Sequence, residues 1–468
     1  MFRKLFRLIF GDPKPPAGDE AVSGGVAEPP LEPDPGLVNI SHRPDACEDF
    51  PVKHIALRGL DADRFQAQSP KAKRLASRVG KPNSSDVRKI RRSRADIRTA
   101  AVARRKSRKQ AVAKRHASDI TFLGRGVSRG LGDRRSDTVR LCEYGLPVLS
   151  TPADVANTLQ LTIPRLRWLA FHSDAITRSH YYTFQIPRKN GRLRTLQAPH
   201  RTMAYAQGWI LDEILYRIPV HNAAHGFIPE RSVVTNAKPH LGARIVINTD
   251  LKDFFPAITF ARVNGLFCSL GYSPAVATIL ALLCTEAPRQ KLVYEGVTYL
   301  AATGPRVLPQ GACTSPAISN LITRALDRRL QGMADKLNWT YTRYADDITW
   351  STLESPRPSV GYVLARIQQI AEDEGFEINE EKTRVLRPNQ RQSVTGVAVN
   401  DRLSVPRTTI RRIRAILHNA QFTGLENQNR DNHPHFEHWL LGMIGWIGMV
   451  QPESGDKLRA SFDQLRSR

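Results

Sequence analysis

The chain has 468 residues, 41% of them hydrophobic, and carries 69 Lys and Arg against 44 Asp and Glu, a formal net charge of +25. That length allows two or three domains with sizeable cores, and a charge so far from neutral disfavours a basic partner and points to a polyanion, nucleic acid first and anionic membrane second. The five cysteines, Cys47, Cys142, Cys268, Cys284 and Cys313, form no CxxC pair, which argues against a zinc or dithiol redox site and for a reducing cytoplasm.

The opening MFRKLFRLIF mixes basic and apolar residues and lacks the unbroken apolar run of a secretory signal, leaving a short interfacial helix as the alternative. Residues 11–37, rich in Pro, Gly and acidic side chains, read as linker, and residues 1–60 as a whole as disordered or linker-like. A basic extension over 61–149 follows. Between Lys71 and Arg115 there are 18 Lys or Arg and only Asp86 and Asp96, a local net of +16. Residues 86–118 have no Pro or Gly, so a helix is expected once phosphates relieve the repulsion. Two readings stand for this arm: RNA or DNA binding by counterion release, and a solvated basic tail.

From about residue 150 the texture is that of an ordered domain. TPAD at 151–154 is a helix start, and Val155, Leu159, Leu161, Leu166 and Leu169 are spaced for two short packed helices. Residues 180–199 alternate as a strand, turn at Asn190-Gly191 and alternate again, which predicts a basic-tipped hairpin; helical periodicity follows over 202–218. The run Ile245-Val246-Ile247 leads to Asp250. A second strand from Trp339 to Tyr344 leads to Asp346 and Asp347 at a tight hairpin. Adjacent acids are either a solvated turn or a metal site, since burying such a pair is costly without a cation between them. If the two strands are neighbours, three carboxylates converge, and hard oxygen ligands suit Mg²⁺. Near the end, 407–421 reads as a basic helix. The stretch 436–450 is too short for a confident membrane span and reads as its buried partner, while His433, His435 and His438 mark a helix start in preference to a metal site.

Four ordered blocks within 150–450 resemble the reverse transcriptases. Tyr344-Ala345-Asp346-Asp347 resembles the family's YxDD box, and Asp250 in DLKDFFPAI its first catalytic aspartate. LPQGACTSPAISN at 308–320 resembles the Pro-Gln-Gly block, and GFEINEEKTRV at 375–385 the block that follows, with Asn379 and Lys382 in place. The resemblance implies an α+β right-hand polymerase fold: fingers and an antiparallel-sheet palm over 150–400, a helical thumb over 401–468, and the partly disordered basic extension ahead of them. It implies two Mg²⁺ ions held by Asp250, Asp346 and Asp347, with deoxynucleoside triphosphates as substrates. Arg188, Lys189 and Arg194 would hold the triphosphate, guanidinium forks suiting phosphate oxygens. Phe255 would abut the sugar and reject a ribose 2′-OH, with either Phe254 or Phe255 packing the palm. Gln310 would steady the nucleotide or template, and Lys382 is either a general acid toward pyrophosphate or an exposed charge.

Two further elements resemble those of retron reverse transcriptases: Asn222 to His225 in HNAAHGF, similar to an Asn-Ala-x-x-His element though one residue shorter, and Val394-Thr395-Gly396, similar to a Val-Thr-Gly element. These five residues, Asn222, His225, Val394, Thr395 and Gly396, are candidate RNA contacts. Retron membership implies an enzyme that binds its own structured noncoding RNA, primes DNA from an internal guanosine 2′-OH and leaves branched RNA-linked DNA used in antiphage defence. Its partners would be that RNA, the DNA copy and an effector protein, with no stable membrane insertion. The alternatives are a group II intron-like or other bacterial reverse transcriptase using a 3′-OH primer, and a catalytically silent nucleic-acid-binding scaffold restraining an effector. The intact acids at 250, 346 and 347 count against the scaffold.

Overall fold

A computed structural model describes residues 94–187, 193–355 and 359–466. They divide between two units, one running to Asp119 and the other from Ile120 onward. In the first, the expected arm helix is present as α1 (Arg94–Ser118), the earlier part of the 86–118 stretch lying outside the described residues. Every side chain described on α1 is exposed, Val102 and Val112 included. Among the described side chains of this helix there is no buried apolar face, and the basic ones are exposed to solvent.

The second unit begins earlier than the sequence reading places it. Residues 120–149, assigned there to the extension, send Ile120, Leu123, Leu131 and Leu141 into the same hydrophobic core as the rest of this unit, so the division falls at Asp119 and not at 149. Helix α2 (Thr138–Glu143) lies in this stretch, followed by α3 (Pro152–Thr158) and α4 (Ile163–Ala170). Thr151 caps α3 in a reciprocal capping box with Asp154, the physical content of the TPAD signal. Strand β1 (Ala175–Ile176) precedes the expected hairpin, β2 (Tyr181–Pro187) and β3 (Leu193–Pro199), whose Asn190-Gly191 turn lies outside the described residues. The helix expected over 202–218 is α5 (Arg201–Glu213) with a separate 3₁₀ turn at Leu215–Arg217.

After α6 (Val233–Ala237) comes β4 (Ile245–Asp250), then α7 (Phe260–Ser269) and α8 (Pro274–Cys284). Every side chain of α8 from Ala275 to Cys284 is buried, which makes it the spine of the larger core. Strands β5 (Arg289–Tyr294) and β6 (Val297–Ala302) form a hairpin joined by β1 in order β1-β6-β5. Helices α9 (Ser315–Ile322) and α10 (Arg324–Leu337) lead into β7 (Thr340–Tyr344) and β8 (Asp347–Thr352). Helix α11 (Val360–Asp373) and β9 (Arg384–Leu386) complete a four-stranded antiparallel sheet of order β7-β8-β4-β9.

The C-terminal part opens with a small hairpin, β10 (Ser393–Val394) and β11 (Val397–Ala398), and continues as α12 (Arg407–Thr423), α13 (Phe436–Val450) and α14 (Pro452–Arg466). Leu440, Ile444, Ile447 and Val450 lie on one face of α13 and pack with Ile413 and Leu417 of α12 in a second core, as the buried-helix reading of 436–450 expects. Helix α13 begins directly after His435, so the three histidines mark a helix start. Helix α14 falls within the helical thumb expected over 401–468, where no separate element is assigned to it. Gly455 is where it crosses α13, since a Cβ there would lie 2.2 Å from the Gly448 Cα. No helix among the described residues is long and apolar enough to cross a membrane.

One polar cluster under the sheet sets an acid limit on stability. His240 is fully buried, with Nδ1 2.7 Å from Ser351 Oγ and Nε2 2.7 Å from Thr342 Oγ1. Burial holds its pKa down to about 3, so it stays neutral in the folded chain. In the unfolded chain it takes a proton below about pH 6.5, so the unfolded state binds more protons between that pH and the folded value, and stability falls as pH falls through this window. We expect the urea midpoint to drop between pH 7 and pH 5, His240 contributing up to about 2 kcal/mol of the loss. A His240→Gln variant, less stable throughout, should lose that share of the pH dependence.

Candidate active site

Strand β4 runs through the centre of the four-stranded sheet and ends at Asp250, which the β4–β8 register places opposite Asp347, with Ile247 opposite Trp350 further back. Tyr344 pairs with Asp347, leaving Ala345 and Asp346 as a two-residue turn between β7 and β8. Tight turns of this kind need positive φ, and Ala345 adopts φ +59° without being glycine. Backbone bonds hold the three acids together: Leu251 N–H donates to Asp346 O at 2.9 Å, and Asn379 N–H to Asp250 O at 2.7 Å. The convergence expected of the two strand ends is therefore present in the backbone.

The charges are crowded. Asp250 is buried, Asp346 half-buried and Asp347 open to the cleft. Desolvation, and then the negative charge of Asp250, raise the Asp346 pKa against the pull of Lys382 and Arg194. Desolvation, and then Asp346 and Asp250, push Asp347 up to about 6. Such a cluster favours a cation. Lys382 supplies one positive charge, its Nζ 2.8 Å from Asp250 Oδ2, and that bond raises its own pKa. Lys382 is itself exposed, and the geometry gives that exposed charge a carboxylate partner. Among the described residues no three acid, His or Cys side chains are gathered closely enough to hold a metal ion by themselves. Mg²⁺ does not require such a set, since it usually binds through one or two carboxylates completed by water and substrate phosphates, and the oxygen donors here suit that mode.

Facing the acids, Arg194 on β3 donates from Nε to Gln310 Oε1 at 2.7 Å, so two of the nucleotide-side candidates are already joined. The Pro-Gln-Gly segment is locked to the same strand: Gln197 N–H donates to Gln310 O at 2.7 Å, and Gly311, at φ +128°, leaves no room for a Cβ, which would sit 2.7 Å from Gln197 O. Arg188 and Lys189 lie outside the described residues. The two phenylalanines separate cleanly. Phe254 is buried with its ring 5.9 Å from that of Phe376, whereas Phe255 is half-buried at the edge of the same core with its ring 6.3 Å from that of Phe227.

The candidate RNA contacts divide. Val394 is fully buried in the second core, so its side chain has no surface to offer RNA, a correction to the reading of all three Val-Thr-Gly residues as contacts. Thr395 and Gly396 form the tip of the β10–β11 hairpin at φ +46° and +86°, with Thr395 Oγ1 accepting from Asn236 Nδ2 at 3.4 Å. Asn222 is exposed, while His225 is partly buried, its Nδ1 3.0 Å from Thr235 Oγ1 and its pKa held down to about 4 by desolvation and then Arg231. Beyond the β10–β11 hairpin, Arg402, Arg407, Arg411 and Arg414 line an open basin of about 600 Å³ with Asn400, Asp401 and Gln451.

The pair beneath the turn belongs to none of the sequence motifs. Arg343 and Asp327 are both fully buried and joined by two 2.7 Å hydrogen bonds, Nε to Oδ1 and Nη2 to Oδ2. Arg343 Nη1 reaches Asn320 Oδ1 at 3.1 Å and Ala345 O at 2.9 Å. Tyr341 donates its hydroxyl to Asp327 Oδ1 at 2.7 Å. The signal in the sequence is an arginine inside a strand otherwise made for burial, with no acid near it in β7.

Residues 186–437 match the reverse transcriptase (RNA-dependent DNA polymerase) family. The retron Mx162 reverse transcriptase of Myxococcus xanthus is 39% identical over 78% of this chain and 79% of its own length, and the retron Mx65 reverse transcriptase of the same organism 43% identical over 71% and 75%. The retron Ec86 reverse transcriptase of Escherichia coli is 33% identical over 71% of this chain and 94% of its own. Among solved structures, a telomerase from Candida tropicalis aligns over 63% of this chain and 56% of that chain at 10% identity, with a TM-score of 0.38. With relatives this similar over this much of its length, and with a family match that spans the paired strand ends at Asp250 and Asp347, the chain belongs to the retron reverse transcriptases and is an RNA-directed DNA polymerase.

Proposed function

We propose that this polymerase copies part of its own structured noncoding RNA into DNA, priming from an internal guanosine 2′-OH, to give branched RNA-linked DNA that serves antiphage defence with an effector protein. The observation that carries the reading is the β4–β8 register, which sets Asp250 against Asp347 beside the turn of Asp346 in a chain 39–43% identical to two retron enzymes. Asp250, Asp346 and Asp347 are the metal-holding set, with two Mg²⁺ ions as the cofactor. When bound, Mg²⁺ stabilises negative charge on the attacking and leaving oxygens of phosphoryl transfer. Lys382 balances Asp250 in the resting enzyme and is a protonated group beside the point where pyrophosphate departs.

Arg194, fixed by Gln310, takes a phosphate of the incoming nucleotide, and Arg188 and Lys189 belong to the same hairpin tip. Phe255 presents its ring to the sugar while Phe254 fills the core, a division that the burial of the two rings supports. The RNA lies against the basin of Arg402, Arg407, Arg411 and Arg414, beside Thr395 and Gly396, with Asn222 as a further contact. Four arginines at one basin suit phosphate-directed recognition of folded RNA. Helix α1 adds sequence-independent affinity through its exposed basic residues.

Expressed with its native upstream DNA, the protein should yield a small DNA that changes size after RNase and needs a debranching enzyme to free its 5′ end. If no such DNA forms while the purified protein extends an annealed DNA primer on an RNA template, 2′-OH priming is refuted and the polymerase stands. Asp346→Asn combined with Asp347→Asn should lower synthesis by at least about a thousandfold and leave RNA binding within about threefold, because metal-held charge stabilisation supplies several kcal/mol at the transition state. Equal loss of both would make these acids structural. In Phe255→Ala, single-nucleotide incorporation should shift toward ribonucleotides by about ten- to a hundredfold, the scale of one lost steric contact; unchanged discrimination would remove Phe255 from the sugar.

A further inference from the structure

The Asn222–His225 stretch is a candidate RNA contact by its sequence, yet its backbone is committed elsewhere. Arg343 N–H donates to Ala223 O and His225 N–H to Arg343 O, each at 2.7 Å, so residues 223–225 lie alongside β7 as a parallel bridge centred on Ala224 and Arg343. The stretch is anchored from behind. Arg231 Nη1 donates to Asn222 O at 2.8 Å and also to Ala224 O, and the His225 ring meets Thr235 Oγ1. The next residue, Gly226, abuts the turn itself: a Cβ on it would lie 2.6 Å from Ala345 N and 3.2 Å from Tyr344 C. Asn320, buried, joins the two sides, donating from Nδ2 to Gly226 O at 2.9 Å and accepting from Arg343 Nη1, which in turn donates to Ala345 O.

Ala345 needs such support. A non-glycine residue at φ +59° carries a local conformational cost, and its neighbours Asp346 and Asp347 repel each other and Asp250. A turn with those properties relaxes unless its surroundings over-determine it. Two independent contacts do so here, the Arg343 guanidinium on the Ala345 carbonyl and the bare face of Gly226 on the Ala345 amide nitrogen.

We infer that residues 223–226, together with Asn320 and the buried Arg343–Asp327 pair, form a brace that positions the Ala345–Asp346 turn for nucleotidyl transfer, and that His225 and Gly226 are positioning residues and not RNA contacts. The inference rests on the reading of Asp346 and Asp347 as catalytic. It also gives the motif's composition a reason. Small Ala223 and Ala224 permit the close backbone approach to β7, and glycine at 226 is the residue that clears the turn.

The test uses the full-length protein and an annealed DNA primer on an RNA template, with kcat, KM for the nucleotide, Kd for the RNA and thermal midpoint measured for Gly226→Ala, Asn320→Ala and Gly208→Ala. Gly208 lies on α5 with nothing within 4 Å of the place a methyl group would take, so its substitution is the control. Gly226→Ala removes no hydrogen bond and inserts one methyl against the turn. It should lower kcat by about ten- to a hundredfold, the scale expected for ångström-level misplacement of a reacting group, with KM and Kd within about threefold of wild type. Asn320→Ala, which unlinks the brace from Arg343, should show the same split and decides the question if Gly226→Ala does not fold. Wild-type kcat in the foldable variants overturns the brace, as does a weakened Kd with unchanged kcat, which would return the stretch to RNA binding. Should Asp346→Asn with Asp347→Asn retain synthesis, the catalytic assignment fails first; should that variant be dead while the brace variants are wild type, only the brace fails.

Discussion

Three carboxylates have to be held side by side against their own repulsion, and the rest of this palm is arranged around that constraint. The central sheet brings Asp250 and Asp347 into register as neighbours, and the turn sets Asp346 beside them. Backbone bonds from Leu251 and Asn379 hold the strand ends together without drawing on the carboxylate oxygens. Lys382 offsets part of the charge from one side. What remains uncompensated shows in the raised pKa values of Asp346 and Asp347, which is the electrostatic condition that a divalent cation relieves.

Beneath the acids lies a second electrostatic arrangement of opposite character. Arg343 and Asp327 are buried without solvent, so each depends on the other and on Tyr341, Asn320 and Ala345 O for its hydrogen bonds. A buried pair of this kind contributes little net stability compared with apolar residues of the same size, but loss of either partner strands a charge in the core. Its value here is geometric, because the guanidinium directs one bond to the turn that carries the acids. The small second core around Val394, Ile413, Leu440 and Phe462 is separate from the larger one, yet Ala243, just before β4, and Val246, within it, belong to this second core, so the thumb is seated on the central strand itself.

Much of this is legible along the chain. The Thr151 cap, the alternation on either side of Asn190-Gly191, the apolar run into Asp250 and the spacing of Leu440, Ile444 and Ile447 are all local signals, written within a few residues of the structure they produce. Other parts are not. Residues 120–149 read as part of the basic arm because Arg125, Arg129, Arg134 and Arg135 colour the stretch, whereas the apolar residues between them decide where it packs. The close crossing of Gly448 and Gly455, and with it α14, becomes meaningful only when two helices are laid together.

The sequence by itself determined the polymerase chemistry: acids at strand ends, a Pro-Gln-Gly block and a lysine after the turn are recognisable in order, because reacting groups have to be of particular types wherever the fold carries them. It also determined which of its segments would be strands and helices where the periodicity was strong. Only the tertiary structure decided which phenylalanine is buried outright and which stays partly exposed, since adjacent rings are equivalent until a fold surrounds them. Only it paired Arg343 with Asp327, 16 residues away, and set Gly226 against Ala345, in a distant part of the chain. Those contacts leave no periodic trace, because each depends on a distance between elements and not on a spacing within one.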